Sequence, residues 1–248
     1  MNRSKRKKSL IVIIGLLIGL NAAAQLSDSV HHYLGYAATG IVNQTQNSNS
    51  FVLNNALKFN VSKKNKSLNS GAAWVYGKQN GLLTNNDFIS SMDFNIYGKL
   101  PHLYYWGLVT YEKSYSLKTN DRFQGGLGAG YNFSDKKDAS VVISNGILYE
   151  YSNLKIDSVT NESYSTLRNS LRLKYHFVFK GIIVLDGVHY WQQSLSLGSD
   201  YIIKSNSSLS VKLKKWLSIT SGLNYNKVNR TSRKNLLFTF GFAADYYF

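Results

Sequence analysis

The 248-residue sequence contains no cysteine and a single proline, Pro101. Without cysteine no disulfide can hold the fold, so even in an oxidising compartment stability must come from backbone pairing and burial. No apolar i, i+3, i+4, i+7 pattern persists beyond one turn, so amphipathic helices are not predicted. After residue 24 the sequence also lacks a low-complexity linker and a block of like charges, and its composition stays uniform to the end, which indicates a single domain.

The one long apolar run lies near the N-terminus. Five basic residues between positions 3 and 8 precede the run Leu10–Leu20, and Asn21-Ala-Ala-Ala24 comes before Gln25. The run is too short for the roughly 20 residues that a spanning helix needs. A charged head, a short apolar region and small residues at the end are the parts of a secretory signal peptide. We predict a signal peptide over residues 1–24, cleaved after Ala24, with an uncleaved anchor as the alternative.

The chain is basic, with a formal net charge of +16. Five of the 29 basic residues and none of the 13 acidic residues lie in the predicted signal, so the mature chain carries +11. A basic surplus can indicate nucleic-acid binding, but an exported chain does not meet nucleic acid, and we expect no such partner. Lysines in turns such as Lys63-Lys64-Asn65-Lys66 are better explained as solvated residues that can also meet anionic lipid headgroups.

After the predicted signal, segments of roughly ten to fifteen residues alternate between apolar and polar positions, separated by Asn, Ser, Asp, Gly and Lys. Alternation with period two is typical of β-strands that have one apolar face. The clearest segments are 51–62, 123–133, 167–177 and 217–226; weaker ones cover 32–44, 68–79, 87–98, 102–115, 139–151, 181–194 and 200–213. With a final strand, the sequence predicts an all-β, transmembrane antiparallel β-barrel of about twelve strands over residues 25–248. A soluble periplasmic β-sandwich is the alternative.

The final strand, Leu236 to Phe248, carries the strongest pattern. Every second residue is apolar or aromatic, and the chain ends on a phenylalanine with a tyrosine two places before it. This ending resembles the C-terminal signal by which outer-membrane barrels are recognised for assembly. We therefore predict an outer-membrane location, with membrane lipid, lipopolysaccharide and the barrel-assembly machinery as partners. The predicted assembly signal consists of Phe248, Tyr246, Phe242 and Phe240.

An even number of strands places both termini on the periplasmic side, with short turns there and longer loops outside. Short turns are predicted at 63–67, 99–101, 134–138, 178–181 and 214–215. Longer external connections are predicted at 45–50, 80–86, 152–163 and 227–235, while two others, near 117–120 and 195–199, are short.

Several charged residues fall at positions that alternate with the apolar face and would therefore point into the barrel. Asp93 and Glu150 are the candidate acidic partners of these cations. The predicted lumen cations are Arg168, Arg172 and Lys174 on one strand, with Lys58 and Lys204 elsewhere. Two interpretations remain open: a lumen biased toward small anions, or an interior filled by paired charges, which suits a barrel smaller than the 16–18-strand porins.

The sequence offers little for catalysis. The five histidines are His31, His32, His102, His176 and His189, and the spacing of Asp186 and His189 puts these two on opposite faces of a regular strand. No Gly-x-Ser-x-Gly motif or metal-ligand spacing is present. Gly125–Gly130 is rich in glycine, but no helix follows it, so small residues facing a crowded lumen explain it better than a phosphate loop. We expect no enzyme, cofactor or metal, and keep a barrel enzyme acting on lipid or lipopolysaccharide as an alternative.

Several stretches also resemble a known family. They are Tyr33-Leu-Gly-Tyr-Ala-Ala-Thr-Gly, Tyr111-Glu-Lys-Ser-Tyr, Asp121-Arg-Phe-Gln-Gly-Gly-Leu-Gly-Ala-Gly-Tyr-Asn-Phe133, Gly146-Ile-Leu-Tyr-Glu-Tyr151 and the terminal Tyr-Tyr-Phe. They are similar to the YdiY-like salt-induced outer-membrane protein family, a domain of unknown function, over about 33–248. A departure is Val42-Asn43-Gln44-Thr45, where that family usually has a Gly-Asn pair. The resemblance implies an outer-membrane barrel, without an established substrate and without catalytic residues.

Overall fold

A computed structural model describes residues 30–248 apart from 99, 101, 137, 158 and 159. The predicted signal peptide lies outside the described residues. The described chain is almost entirely strand, and the bounds are β1 Val30–Gln44, β2 Asn49–Lys63, β3 Lys66–Gln79, β4 Leu82–Tyr97, β5 Leu103–Ser114, β6 Thr119–Lys136, β7 Ala139–Lys155, β8 Asn161–Phe179, β9 Ile183–Ser194, β10 Tyr201–Lys212, β11 Leu217–Val228 and β12 Arg233–Tyr247. A short 3₁₀ turn, Asn229–Thr231, joins β11 to β12. No helix within these described ranges is long and apolar enough to cross a membrane.

The twelve strands form one closed antiparallel barrel in which each strand pairs with its sequence neighbours. The barrel closes where β1 meets β12, with Tyr33 opposite Tyr247 and Gly40 opposite Phe240. Beyond this ladder, the backbone N–H groups of His32 and Phe248 donate to each other's carbonyl oxygens at 2.9 and 3.1 Å. Closure leaves no unpaired edge, which is how a long apolar strand avoids templating aggregation. The predicted twelve-strand antiparallel barrel is confirmed, and the two-sheet sandwich is wrong.

Alternation decides which side chains point inward. In β5, Tyr104, Trp106 and Glu112 are buried, whereas the intervening Tyr105 and Val109 are more than half exposed. The outward face is the more apolar one over most of the barrel, so the usual soluble arrangement is inverted. We call this outward surface the apolar belt; it includes Leu53, Leu57, Met92, Val109, Leu127, Ile143, Ile147, Leu167, Leu171, Ile219, Leu223, Phe238, Phe240 and Phe242.

Connections are short at both ends of the barrel. At the end that carries Val30 and Phe248, which we call the terminal end, they span 64–65, 98–102, 137–138, 180–182 and 213–216. At the opposite end, here the loop end, they span 45–48, 80–81, 115–118, 156–160, 195–200 and 229–232. The predicted long loops at 80–86, 152–163 and 227–235 are therefore wrong, because most of those residues continue the strands.

The polar stretches extend the strands because their side chains pair across neighbouring strands. Asn120 donates to Asn153 at 2.8 Å and to Asn161 at 3.0 Å, and Asn153 donates to Ser163 at 3.1 Å. The predicted loop 80–86 shrinks to Asn80-Gly81, with φ of 49° and 79°. Positive φ at both central residues is the requirement of a type I′ hairpin, for which Asn-Gly is the preferred sequence.

The glycines of β6 permit close approach inside the barrel. A Cβ on Gly128 would meet Trp106 Cζ2 at 2.5 Å, and a Cβ on Gly126 would meet Leu148 Cδ2 at 2.6 Å. Gly126 and Gly128 alternate with the exposed Leu127, so they lie on the inward face. They leave room for Tyr104, Trp106, Leu108 and Leu148, which form the buried apolar cluster of the lumen.

Candidate functional site

The lumen contains several groups of paired charged side chains, which together we call the lumen network. Arg122 and Arg168 are 0% exposed and Arg172 is 2% exposed. Buried guanidinium groups are costly unless carboxylates and hydrogen bonds satisfy them. The members are Asp93, Glu112, Arg122, Glu150, Glu162, Arg168, Arg172, Lys174, Asp200, Lys204 and Arg230.

Arg168 of β8 is the centre of the network. Its Nε and Nη2 atoms each donate to Glu150 at 2.8 Å, a bidentate pairing across the β7–β8 ladder. Nη2 also donates to Asp200 Oδ1 at 2.9 Å, and Tyr164 donates its hydroxyl to Glu150 at 2.8 Å. Two neighbouring strands and the β9–β10 connection are thereby joined inside the barrel. Fork-like pairing of this kind is among the stronger polar contacts in proteins.

A second group crosses the lumen between strands that are not neighbours. Lys204 of β10 donates to Glu112 of β5 at 2.6 Å, and Arg122 of β6 donates to the same carboxylate at 3.1 Å. The Nε of Arg122 also lies 3.7 Å from Glu150. Because β5 and β10 lie far apart around the barrel, the Glu112–Lys204 pair bridges the interior rather than following the wall.

A third group makes a further bridge, from β8 to β4. Arg172 and Lys174 both bond to Asp93 Oδ2, the lysine at 3.3 Å. Arg172 also donates to Tyr104 Oη at 3.3 Å and stacks 5.1 Å from the Trp106 ring centre. Cation–π contact adds to ionic pairing where the cation is desolvated. One carboxylate shared by two cations leaves this level of the lumen with a positive excess.

Arg230, on the 3₁₀ turn between β11 and β12, covers the network at the loop end. It bonds to Glu162 of β8 and to Asp200 Oδ2 at 3.2 Å, and its guanidinium lies 3.8 Å from the Tyr164 ring centre. The hydrogen bond with Glu162 raises the pKa of Arg230 above its ordinary value, so the residue stays charged. With Arg230, the network holds six cations against five carboxylates, which is close to neutral.

The half of the lumen near the terminal end is more open, and we call it the vestibule. Lys58 and Asn206 are exposed although they alternate with outward residues, and Lys174 retains 31% side-chain exposure. In the described part of the chain Lys58 has no ion pair. One wall consists of small inward residues, namely Gly35, Ala37, Gly71, Ala73, Gly241 and Ala243.

The predicted lumen cations all face inward, but they differ in their ion pairs. Arg168, Arg172, Lys174 and Lys204 belong to the lumen network, whereas Lys58 stands apart in the vestibule. Asp93 and Glu150, the candidate acidic partners, do pair with these cations. Sequence reasoning missed Glu112, Arg122, Glu162, Asp200 and Arg230. Period-two alternation could have assigned Glu112 and Arg122, but Asp200 and Arg230 lie in connections, where alternation assigns no face.

His176 and His189 have separate partners on the two faces of the barrel wall. His189 points outward and contacts Ser205 Oγ at 2.7 Å, while Asp186 points inward and contacts His176 Nδ1 at 2.6 Å. The predicted separation of Asp186 and His189 is therefore observed. The His176–Asp186 pair is half-exposed at the terminal end of the lumen. Within the described ranges no group of three or more His, Cys, Asp or Glu could hold a metal ion.

The predicted assembly residues lie on the apolar belt. Phe248, Tyr246, Phe242 and Phe240 are all exposed on the outward side of β12 and its end. His32 of β1 stacks on Phe248 with ring centres 5.1 Å apart, next to the barrel seam. Aromatic residues of the belt concentrate toward the strand ends, as in the two girdles of membrane barrels. Examples are Trp74, Phe88, Tyr111, Phe123 and Trp191 at the loop end, and Tyr105, Phe133, Phe179, Trp216 and Tyr246 at the terminal end.

Comparison with known proteins finds many solved structures that overlap most of the chain, and three of these barrels illustrate the likeness. The translocator domain of the autotransporter NalP from Neisseria meningitidis is 10% identical, with a TM-score of 0.47, covering 97% of this chain and 97% of its own. The NanC porin is 10% identical, with a TM-score of 0.48, covering 87% and 97%. An outer-membrane channel from Pseudomonas putida F1 is 11% identical, with a TM-score of 0.47, covering 90% and 97%. Similarity at this level carries no argument about function.

The amino-acid sequence was also compared with curated proteins and with family profiles. No curated protein matches the chain. A family profile described as "Protein of unknown function, DUF481" matches residues 37–246. The match begins within β1 and ends one residue before the end of β12, so it includes β2 to β11 in full and the whole lumen network. The chain belongs to this family.

Proposed function

We propose that the protein is a non-enzymatic outer-membrane barrel whose lumen is closed by its own side chains and which serves envelope structure or stress adaptation. The lumen network carries this proposal. Its cross-lumen pairs, Glu112–Lys204 and Asp93–Arg172, join strands that are four or five positions apart around the barrel, and the central guanidiniums are shielded from water. An open porin instead lines its channel with hydrated side chains. A lumen filled in this way favours a structural role over bulk diffusion.

The membrane placement is supported by the apolar belt. A soluble protein rarely exposes a contiguous apolar patch larger than a few hundred Å², whereas here every strand carries exposed large apolar residues on its outward face. In lipid only helices and closed barrels satisfy their backbone groups, and this barrel has no free edge. Lipid and lipopolysaccharide are the proposed contacts of the belt. Protein from an outer-membrane fraction should run faster on a gel unboiled than boiled; recovery in the soluble periplasm would contradict the placement.

The barrel-assembly machinery is the proposed partner of the terminal strand. We expect Phe248→Lys to lower the amount of folded protein in the membrane several-fold, because a charge replaces the exposed terminal ring beside the seam. Phe248→Tyr is the control and should assemble normally, since it keeps the ring. The folded fraction is measured by heat-modifiability in membrane extracts. Equal yields of both variants would remove Phe248 from the proposed signal.

Conductance in planar lipid bilayers tests the closed lumen directly. The wild-type mature protein should give no steady ohmic conductance. The double variant Glu112→Ala/Lys204→Ala should conduct, because both ends of one cross-lumen bridge are removed together. Arg122, which also bonds to Glu112, keeps Glu150 at 3.7 Å. Lys58→Ala is the control; it removes an inward lysine without a partner and should leave the lumen closed. Steady conductance of the wild type would overturn the closed-lumen proposal.

Narrow passage of small solutes is the second candidate, and the vestibule favours it. Unpaired Lys58 and partly exposed Lys174 make the open half of the lumen attractive to anions. If the wild type conducts, Lys58→Glu should lower the preference for chloride over potassium, measured as a shift in reversal potential across a salt gradient. A selectivity that Lys58→Glu does not change would place the limiting point of the passage elsewhere.

A barrel enzyme acting on lipid or lipopolysaccharide remains the alternative from another class. His176 and Asp186 are the one histidine–carboxylate pair among the described residues. Phospholipid vesicles incubated with the purified barrel should release no fatty acid, and release that is lost in His176→Ala would contradict the non-enzymatic proposal. The name of the salt-induced family suggests a further expectation, namely that the amount of protein rises after an increase in external salt.

A further inference from the structure

One sector of the apolar belt is not apolar. Strands β7 to β10 carry a group of polar side chains on their outward face, about midway along several of these strands. We call this group the polar stripe; its members are Asn145 on β7, Asn169 on β8, His189 on β9, and Ser205 and Ser207 on β10. Polar groups that face hydrocarbon are costly unless they find hydrogen-bond partners.

Strand register establishes that the stripe faces outward. Asn145 alternates with the buried Ser144 and lies between Ile143 and Ile147, which are 41% and 43% exposed. Asn169 lies between Leu167 and Leu171, which are 50% and 41% exposed. The asparagines are therefore surrounded by residues of the belt. They do not belong to the polar ends of the strands or to the lumen.

On β9 and β10 the members of the polar stripe also face outward. His189 stands opposite Ser205 in the ladder, and Trp191, two residues further along β9, is 57% exposed. Ser207 stands opposite Gly187, and a Cβ on that glycine would collide with the ring of Tyr175 from β8. The ring of Tyr175 thus crosses β9 on the outside of the barrel to reach Ser207.

The stripe satisfies part of its own hydrogen-bonding capacity. Asn169 donates to Asn145 Oδ1 at 2.9 Å, His189 Nδ1 contacts Ser205 at 2.7 Å, and Tyr175 contacts Ser207 at 3.0 Å. Three groups remain without a partner in the described part of the chain: the side-chain nitrogen of Asn145, the side-chain oxygen of Asn169 and His189 Nε2. The set contains both a free donor and a free acceptor, so it is complementary to itself.

We infer that the polar stripe is a docking surface for a second copy of this chain within the membrane. Lipid tails offer no hydrogen bonds, so a protein surface is the partner that can satisfy these groups at this depth. A twofold axis brings the same patch of both copies together, and a patch with a free donor beside a free acceptor can then pair with itself. The Asn145 nitrogen of one copy would donate to the Asn169 oxygen of the other. The inference rests on the proposed membrane placement.

The absence of cysteine makes this testable with single substitutions. Ile147→Cys is introduced into the full chain in native outer membranes and treated with a mild oxidant; Ile147 is 43% exposed and stands opposite Asn169 in the ladder, so both asparagines are kept. Leu57→Cys is the matched control: it is 48% exposed, lies on the belt near the middle of β2, and β2 is across the barrel from β8. We expect a reductant-sensitive dimer with Ile147→Cys and at least five-fold less dimer with Leu57→Cys. Each variant is first checked for heat-modifiability, which separates failure of membrane assembly from failure of pairing.

A second variant removes the free groups without creating a thiol. Asn145→Leu/Asn169→Leu suits lipid at both positions, so we expect it to fold at least as well as the wild type but to lose the dimer seen by chemical cross-linking in membranes. Equal disulfide yields at positions 147 and 57 would indicate random collision and overturn the inference. Folded protein that stays monomeric with Ile147→Cys, or a dimer that survives the double leucine substitution, would overturn it as well.

Discussion

At the scale of single residues, the chain combines a largely apolar exterior with a charged interior. Arg168 is fully buried, yet it has Glu150 and Asp200 within 3 Å and so does not stand as a lone charge. Buried ion pairs are retained when each charge has its partner, and they become strongly destabilising when one partner is removed. The network therefore stabilises the barrel only as a set.

Arg168→Met is the sharpest test of that dependence. The substitution keeps an unbranched side chain but leaves Glu150 and Asp200 short of their central partner, so it should lower the free energy of unfolding by about 3–5 kcal/mol. Lys58→Met is the matched control, because Lys58 points inward without an ion pair, and it should change stability little. Urea unfolding in detergent or lipid, followed by tryptophan fluorescence, measures both. Equal losses in the free energy of unfolding would mean that Arg168 and its partners contribute no more to stability than the unpaired Lys58.

Residue orientation could be predicted from the sequence, whereas pairing could not. Period-two alternation put Arg168, Arg172 and Lys174 on one face of β8, as observed, because a strand alternates regardless of its neighbours. The bond from Arg172 to Asp93 joins residues 79 apart in sequence and depends on how far the barrel brings β4 toward β8. No local sequence pattern encodes the distance between β4 and β8 across the lumen. Asp200 and Arg230 were missed because they lie in connections between strands, where side chains do not alternate between two faces.

At the scale of the strand, β6 shows how small residues on one face make room for large ones on another. Gly128→Val should lower stability by about 3 kcal/mol or block assembly, because the new side chain meets Trp106 and the neighbouring β7 backbone. Gly125→Val is the matched control on the same strand; it points outward, and a Cβ there meets nothing within 4 Å. Valine also favours strands. Heat-modifiability of the two variants checks the prediction, and a tolerated Gly128→Val would contradict the packing described here.

Strand positions were predicted closely, and strand ends less well. Every predicted segment overlaps an observed strand, because the apolar face extends over the belt and is visible as alternation. The polar residues beyond the belt, such as Asn161 and Ser163, look like loop residues in sequence but continue β8. Their strand conformation depends on backbone partners in β7 and on side-chain bonds across strands. Loops predicted from composition alone were therefore longer than the observed connections.

At the scale of the whole molecule, closure and the lumen network depend on each other. The seam between β1 and β12 joins the two ends of the described chain, and the network holds β4, β5, β6, β7, β8 and β10 together from the inside. The wall of small residues at β1, β3 and β12 contributes little side-chain pairing across the lumen. We infer that this sector is held mainly by its backbone ladders, which makes the seam the natural place to test closure.

A pair of cysteines tests the seam in a chain that has none of its own. Ala37 and Ala243 stand directly opposite each other across β1 and β12, and both point into the vestibule. Directly opposed residues lie about 4.5–5.5 Å apart, within the range of a disulfide. Ala37→Cys/Ala243→Cys should therefore form an internal disulfide under mild oxidation, which changes the mobility of the boiled, unreduced chain on a gel.

The control uses the same first cysteine with a partner two strands away. Ala73 faces inward on β3, and Ala56 of β2 lies between it and Ala37. Two strand spacings amount to about 9.5 Å, beyond the roughly 7 Å Cα separation that a disulfide tolerates. Ala37→Cys/Ala73→Cys should stay reduced while the folded barrel is intact. A disulfide in the control, or none at the seam, would show that β1 and β12 do not close the barrel in this register.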